Sequence, residues 1–240
     1  MNKLKQYLAL FLLVPAIAYA APDNNELWQA VAERDAEKLI TLIKEGANPN
    51  ARDEKGNTLL YYAVKHKAPL KILRILVESG VDMNAPSSES GMTPLVYMAM
   101  TADRVQRVIL QKLSRSFGEQ RQNLESGLKA KAAKNMRYAS KVIRFLVENG
   151  ADVNQQTPYG TALMNAAKNP WNAENIEFLL KSGADINQCD RNGRSALFYA
   201  VTFADNETVM QLLSADADPE IKDINGKTYL EIEKKDMLNP

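Results

Sequence analysis

The groups in this chain that could act as nucleophiles or general bases are few and isolated. Cys189, in Asn187-Gln188-Cys189-Asp190, is the single cysteine, and His66, in Lys65-His66-Lys67, is the single histidine. A thiolate nucleophile needs a neighbouring base or cation to lower its pKa, and neither a histidine nor a second cysteine lies near Cys189 in sequence. One cysteine excludes an internal disulfide; one histidine excludes multi-histidine metal sites and a His-paired nucleophile other than through His66 itself. The acids Asp53, Asp190 and Asp223 sit among glycine and asparagine, where a carboxylate shapes a turn by accepting backbone N–H groups. No glycine-rich phosphate loop and no metal-ligand spacing occurs. Cys189 is expected at an exposed turn tip and His66 at a solvent-facing helix end. The expectation is a protein without catalytic activity, cofactor or metal.

Charge offers a second kind of chemistry. The 240 residues carry a formal net charge of only +1, but it is unevenly spread. From Arg104 to Arg137 there are nine basic residues against two acids, a net +7. With Lys3 and Lys5 removed, as argued below, the mature chain is −1, so everything outside that stretch sums to −8. A basic arm on an acidic body can orient an approaching acidic surface, and Arg115, Arg121, Lys129 and Lys131 are the candidate contacts. Single-stranded nucleic acid would require several stacking platforms, whereas only Phe117 and Tyr138 are aromatic here. A basic amphipathic hairpin could touch anionic lipid, but the apolar positions are needed to pair helices. A protein partner is expected, with no nucleic acid and no membrane contact.

The first 20 residues stand apart from the rest. Lys3 and Lys5 form a positive region, Tyr7 to Ala18 is uncharged, and Ala18-Tyr19-Ala20 has the small-x-small form of a signal-peptidase site. The apolar run is shorter than the roughly 20 residues that span a bilayer. Residues 1–20 are therefore expected to be a signal peptide cleaved after Ala20, placing a mature chain of residues 21–240 in the periplasm or outside the cell. Export without disulfides fits a bacterial periplasm.

The elements that position these side chains are periodic. Gly56-Asn57-Thr58-Leu59, Gly91-Met92-Thr93-Pro94-Leu95, Gly160-Thr161-Ala162-Leu163, Gly193-Arg194-Ser195-Ala196-Leu197 and Gly226-Lys227-Thr228-Tyr229-Leu230 open at intervals of 35, 69, 33 and 33 residues. Between them lie Gly46-Ala47-Asn48-Pro49-Asn50, Gly80-Val81-Asp82-Met83-Asn84, Gly150-Ala151-Asp152-Val153-Asn154 and Gly183-Ala184-Asp185-Ile186-Asn187. A degenerate copy, Ala215-Asp216-Ala217-Asp218-Pro219, closes the series. These phrases at a period near 33 resemble the ankyrin repeat, a β-turn followed by two antiparallel helices. The resemblance implies an all-α repeat solenoid of about five repeats plus a C-terminal cap, spanning residues 21–240. The Thr or Ser before each Leu is placed to cap a first helix. Gly46, Gly80, Gly150 and Gly183 fall where second helices end. The histidine that the family commonly places after Pro-Leu is replaced by Tyr61, Val96, Met164 and Phe198, so packing is expected to carry more of the cohesion between repeats.

The 69-residue interval holds about 36 extra residues in the third repeat, an insertion at about 104–137. Val105, Val108, Ile109 and Leu113, and then Leu124, Leu128, Ala132, Met136, Ala139 and Ile143, recur at helical steps. Ser116-Phe117-Gly118-Glu119 reads as a turn. The pattern predicts a long helical hairpin that lengthens both helices of the third repeat, with two short separate helices as the alternative. By the resemblance, partners are bound on turn tips and first helices, which here include Arg52, Glu54, Tyr62, Tyr97, Gln156, Tyr159, Asn165, Arg191, Asn192 and Tyr199. Three roles suit an exported binding module: an immunity protein masking a toxin enzyme, an effector binding host proteins, and an envelope stress-protection scaffold.

Overall fold

Local turn chemistry sets out the elements. The computed structural model describes residues 24–101, 119–204 and 206–231, without the side chains of 119–126, 128, 129 and 171. The segment expected to be a signal peptide, Arg115 and residues 116–118 of the turn expected at 116–119 lie outside the described residues, while Glu119 is helical. The first unit pairs α1 (Asn24–Glu33) with α2 (Ala36–Lys44), and the second pairs α3 (Leu59–Lys65) with α4 (Leu70–Glu78). The third holds α5, helical over 94–101, and α6 (Glu119–Glu148). The fourth pairs α7 (Ala162–Ala166) with α8 (Ala173–Lys181), and the fifth α9 (Ala196–Phe203) with α10 (Asn206–Ser214). A single 3₁₀ turn, Tyr229–Glu231, follows. Among the described residues there is no strand, only isolated bridges such as Arg52 with Thr58.

Helix starts follow the expected capping at Thr58, Thr93 and Thr161 but not at Ser195 or at Thr228, whose hydroxyl donates to the Glu231 carboxylate instead. The hydroxyls of Thr58, Thr93 and Thr161 accept the N–H groups of Tyr61, Val96 and Met164 at 3.1, 3.2 and 3.3 Å, satisfying donors that a helix leaves open. Ser195 makes no such bond. Helix α2 is capped by Asp35, whose carboxylate accepts from Glu37 and Lys38. The second helices end at left-handed glycines, Gly150 at φ 99° for example. In the degenerate fifth copy Asp216 takes that place at φ 64°, a conformation that aspartate tolerates better than most residues.

First helices pack on first helices (α1 on α3, α7 on α9) and second on second (α2 on α4, α6 on α8). Their apolar faces merge into one cluster running from Leu27 to Tyr229. Tyr61, Val96, Met164 and Phe198 are all buried in the stack, as their types imply. Helix α6 is unbroken for 30 residues, about 45 Å at ~1.5 Å per residue, while α4 and α8 have nine each. The second half of the insertion is thus one lengthened helix, and the alternative of a short separate helix there is excluded. The first half lies outside the described residues.

A polar ladder joins the units along the turn side. Asn50 Oδ1 accepts the Asp82 N–H at 2.7 Å, Asn84 Oδ1 that of Asp152 at 2.8 Å, Asn154 Oδ1 that of Asp185 at 2.7 Å, and Asn187 Oδ1 that of Asp218 at 2.8 Å. The amide nitrogens of Asn50 and Asn154 reach forward as well, donating to the carbonyls of Gly80 and Gly183 at 3.1 and 2.9 Å. Within the phrases that open at Gly80, Gly150 and Gly183 the aspartate carboxylate accepts the N–H of the asparagine, as Asp152 does for Asn154 at 2.9 Å; Asn48 takes the acceptor's place in the first phrase and Glu220 the donor's in the last. Packing is therefore not the only cohesion between repeats. Replacing Asn154 by Ala leaves the Asp185 N–H and Gly183 carbonyl without their protein partner. Both bonds are exposed and water can replace them, so the expected cost is about 0.5–1.5 kcal/mol, with the fourth and fifth units uncoupling from the rest. A urea melt that stays single and unshifted would show that the ladder contributes nothing.

Candidate functional site

The turn tips use their carboxylates internally. Asp53 Oδ1 accepts from Lys55 and Asn57 N–H at 3.0 and 2.7 Å, Asp190 from Asn192 and Arg194 at 2.8 and 3.0 Å, and Asp223 from Asn225 and Lys227 at 2.8 and 3.1 Å. Burial opposes ionisation of Asp223, yet the N–H groups of Lys227 and Asn225 outweigh it and hold the carboxyl below its usual range. These acids are structural, as their turn positions imply. Among the described residues no group of three or more His, Cys, Asp and Glu could hold a metal ion. Cys189 is exposed, and its thiol lies 3.4 Å from the Asn187 carbonyl. Burial, then the charges of Asp190 and Asp185, push its pKa up, the opposite of what a reactive thiolate needs.

Tips and first helices form the face on which most of the candidate contacts fall, and the structure divides them. Glu54, Gln156 and Arg191 are exposed, and Tyr159 is 43% exposed. Arg52 is exposed but engaged: its guanidinium donates to the carbonyls of Gly56 and Pro86 at 2.6 and 2.8 Å and to Ser88 Oγ at 3.3 Å, tying two tips together. Asn192 is half-buried, and its carbonyl accepts the Ile224 N–H at 2.9 Å. Tyr97 is half-buried, edge-on to Tyr61 at 5.3 Å. The half-buried Tyr199 donates its hydroxyl to Asp190, with Lys168 Nζ 4.2 Å from the ring centroid. Burial first, then that bond, raises the Tyr199 pKa.

Asn165 requires a correction. It is fully buried, and its amide donates to the carbonyls of Tyr159 and Thr161 at 2.9 and 2.8 Å. Its place on a first helix predicts that it faces a partner; instead it satisfies backbone acceptors at the start of α7 and presents nothing.

Sequence reasoning also missed Trp28. Tyr62 meets it edge-to-face at 5.2 Å and 77°, and the His66 ring lies 4.2 Å from Tyr62. This aromatic floor, with Glu54, Lys65 and Glu89 around it, bounds a cleft of about 340 Å³. Burial, then the Lys65 charge, lowers the His66 pKa and so disfavours the charged ring. The only sequence signal for this site was the spacing that put Trp28 on a first helix.

Just past the C-terminal end of α3 the insertion meets the array. Lys67 Nζ donates to Asn135 Oδ1 at 2.5 Å, and Tyr138 OH to the Ala68 carbonyl at 2.9 Å. Lys131 is exposed, whereas the side chains of Arg121 and Lys129, like all of Arg115, lie outside the described residues. On a neighbouring side of α6, Ala132, Met136, Arg137 and Ser140 face Glu174 and Asn175 across a cleft of about 640 Å³.

Comparison with known proteins gives the class. A family model described as ankyrin repeats (3 copies) matches residues 27–115 and 130–223, and the break between the two matches falls within the insertion. The chain belongs to the ankyrin repeat family. It is similar to two ankyrin repeat proteins of fowlpox virus, 47% identical over 57 residues and 34% over 71. A third, from Acanthamoeba polyphaga mimivirus, is 33% identical over 86 residues. The matches cover 24%, 30% and 35% of this chain but only 11%, 9% and 11% of those proteins. A crystal structure of an ankyrin repeat protein superposes with a TM-score of 0.65 over 90% of this chain and 93% of that one, at 21% identity, which shows the shared fold. Repeats of this family mark a protein–protein interaction module. Among the described residues no helix is long and apolar enough to cross a membrane.

The insertion's anchor is testable by pH. Burial pushes the Tyr138 phenol up to about 12, above the roughly 10 of an unfolded tyrosine. A raised folded-state pKa gives stability that is complete below pH ~10 and is lost as pH rises towards 12. Tyr138→Phe should cost about 1 kcal/mol at pH 8 through the lost bond to Ala68. It should then lose less stability than the parent between pH 8 and 11. The difference should be below the full ~1.4 kcal/mol per pH unit, because the phenol is only partly buried and water screens it. Urea midpoints at the two pH values check this; equal alkaline losses in both proteins would show that Tyr138 is not held as described.

Proposed function

We propose that this protein is an exported, non-enzymatic binding module that covers a functional surface of one protein partner. The observation that carries the reading is the tip and first-helix face. It presents the aromatic floor of Trp28, Tyr62 and His66 beside Glu54, and Tyr159 and Arg191 further along. Aromatic and arginine side chains on a rigid support are the types that dominate binding hot spots, and a support with little to reorganise loses little entropy on binding. The role we infer is masking, as an immunity protein silences a toxin enzyme: a broad face obstructs a site without chemistry of its own. The leader-like first 20 residues support the periplasm as its place of action.

The test is recovery of the tagged chain from the periplasm with its partner. Its N-terminus should be Ala21, and the captured enzyme should regain activity once separated. The double variant Glu54→Lys, Tyr159→Ala should retain its fold and bind that partner about tenfold or more weakly, the scale of one or two hot-spot contacts. An intact Met1 would end the exported reading. A captured enzyme fully active in the complex would end the masking reading, and unchanged affinity in the variant would move the site off this face.

A further inference from the structure

Three segments distant in sequence bring cations together on the edge away from the turn tips. Helix α3 starts at the tip and ends at Lys65, about 10 Å on at ~1.5 Å per residue, so the turn holding Lys67 lies on the far edge. Positions 131, 134, 135 and 138 of α6 follow i, i+3, i+4 and i+7 spacing and share one helix face. Asn135 and Tyr138 on that face hold the Lys67–Ala68 turn through the two hydrogen bonds given above. Lys67 is thereby seated among Lys131 and Lys134, both exposed. Partial burial, then the charges of Lys131 and Lys134, lower the Lys67 pKa. Arg34, from the corresponding turn of the first unit, lies near enough for its charge to act on Tyr138. Bringing like charges together opposes folding, and an anion bound there relieves the repulsion.

We propose that this edge, built from Lys67, Lys131 and Lys134 with Arg34 beside them, is a docking site for an acidic segment of a partner protein. It deepens the reading of the chain as an interaction module but uses a different surface from the tip face. Charge complementarity specifies an acidic occupant, and the neighbouring side chains select protein over the other polyanions. The large apolar side chains exposed among the described residues are Tyr159, Met210, Ile224 and Leu230, none of them on α6, so nothing described here would insert into a lipid surface. On this face of α6 the aromatic side chain is Tyr138, half-buried with its hydroxyl occupied, so the face itself offers no open platform for a nucleic-acid base. Carboxylates on a flexible segment need neither.

The full chain is titrated against a fluorescein-labelled oligoglutamate peptide by anisotropy at low salt. Lys67→Gln, Lys131→Gln and Lys134→Gln should each weaken binding about twofold to fivefold, the scale of one exposed ion pair. Together they should weaken it on the order of tenfold or more. The control Lys44→Gln, Lys71→Gln removes two exposed charges from the second helices α2 and α4 and should change it less than about twofold. Lys131→Gln should keep or raise the melting temperature, because it removes repulsion on Lys67, so weaker binding there cannot be loss of fold. Equal losses in patch and control variants would overturn the proposal. So would patch-dependent binding of phosphatidylglycerol vesicles or single-stranded DNA with none of the peptide. This assay does not involve the tip face, so its failure leaves the masking function standing, and the Glu54→Lys, Tyr159→Ala variant should bind the peptide like the parent.

Discussion

An asparagine side chain that bonds forward to the backbone of the next unit is the constraint on which this structure depends. Asn50 and Asn154 each accept an aspartate N–H and donate to a glycine carbonyl of the following unit. A primary amide provides both functions on two separate atoms of a short stem; an aspartate could accept but not donate. The partner groups are backbone, so the contact fixes the phase of neighbours without dictating their surface residues. The ladder also survives the insertion. Asn84 bonds Asp152 across 68 residues of sequence, as Asn50 bonds Asp82 across 32. The added chain therefore leaves from the opposite edge and the stack closes as though it were absent.

This division of labour explains why the two edges differ electrostatically. On the tip side the turn aspartates Asp53, Asp190 and Asp223 are occupied by backbone N–H groups, so the aromatic and amide side chains, with Glu54 and Arg191, remain to be presented. On the far edge the turns between helices carry Arg34 and Lys67, both in left-handed backbone at φ 61° and 55°, and α6 adds its lysines beside them. The second-helix surface of the third and fourth units also gains a cleft along α6. The insertion thus builds surface where the repeats alone would end.

Much of this was legible in the sequence, because turn and cap chemistry is local and recurs in phase. Thr58, Thr93 and Thr161 cap as their positions implied, and the i, i+3, i+4 stripe through Ala132, Ala139 and Ile143 marked a helix that is there. Less visible were contacts made across units. Asn165 has the composition of a surface residue, yet nearby carbonyls at the start of α7 draw it inward. Arg52 looked available, but its carbonyl partner Pro86 and hydroxyl partner Ser88 come from the next tip. Lys67 meets Asn135 from 68 residues away, and no local pattern announces that pairing. The ladder itself is written four times in the phrases, but its bonds join residues about one or two periods apart.

The most direct test of this account is amide hydrogen exchange resolved at Asp82, Asp152, Asp185 and Asp218. All four are exposed residues at the turn side, where unprotected amides would exchange quickly. If the ladder keys the array into one cooperative body, their N–H groups should exchange slowly and with a common free energy close to that of global unfolding. Fast, independent exchange at these four sites would contradict it, leaving apolar packing alone to hold the units in register.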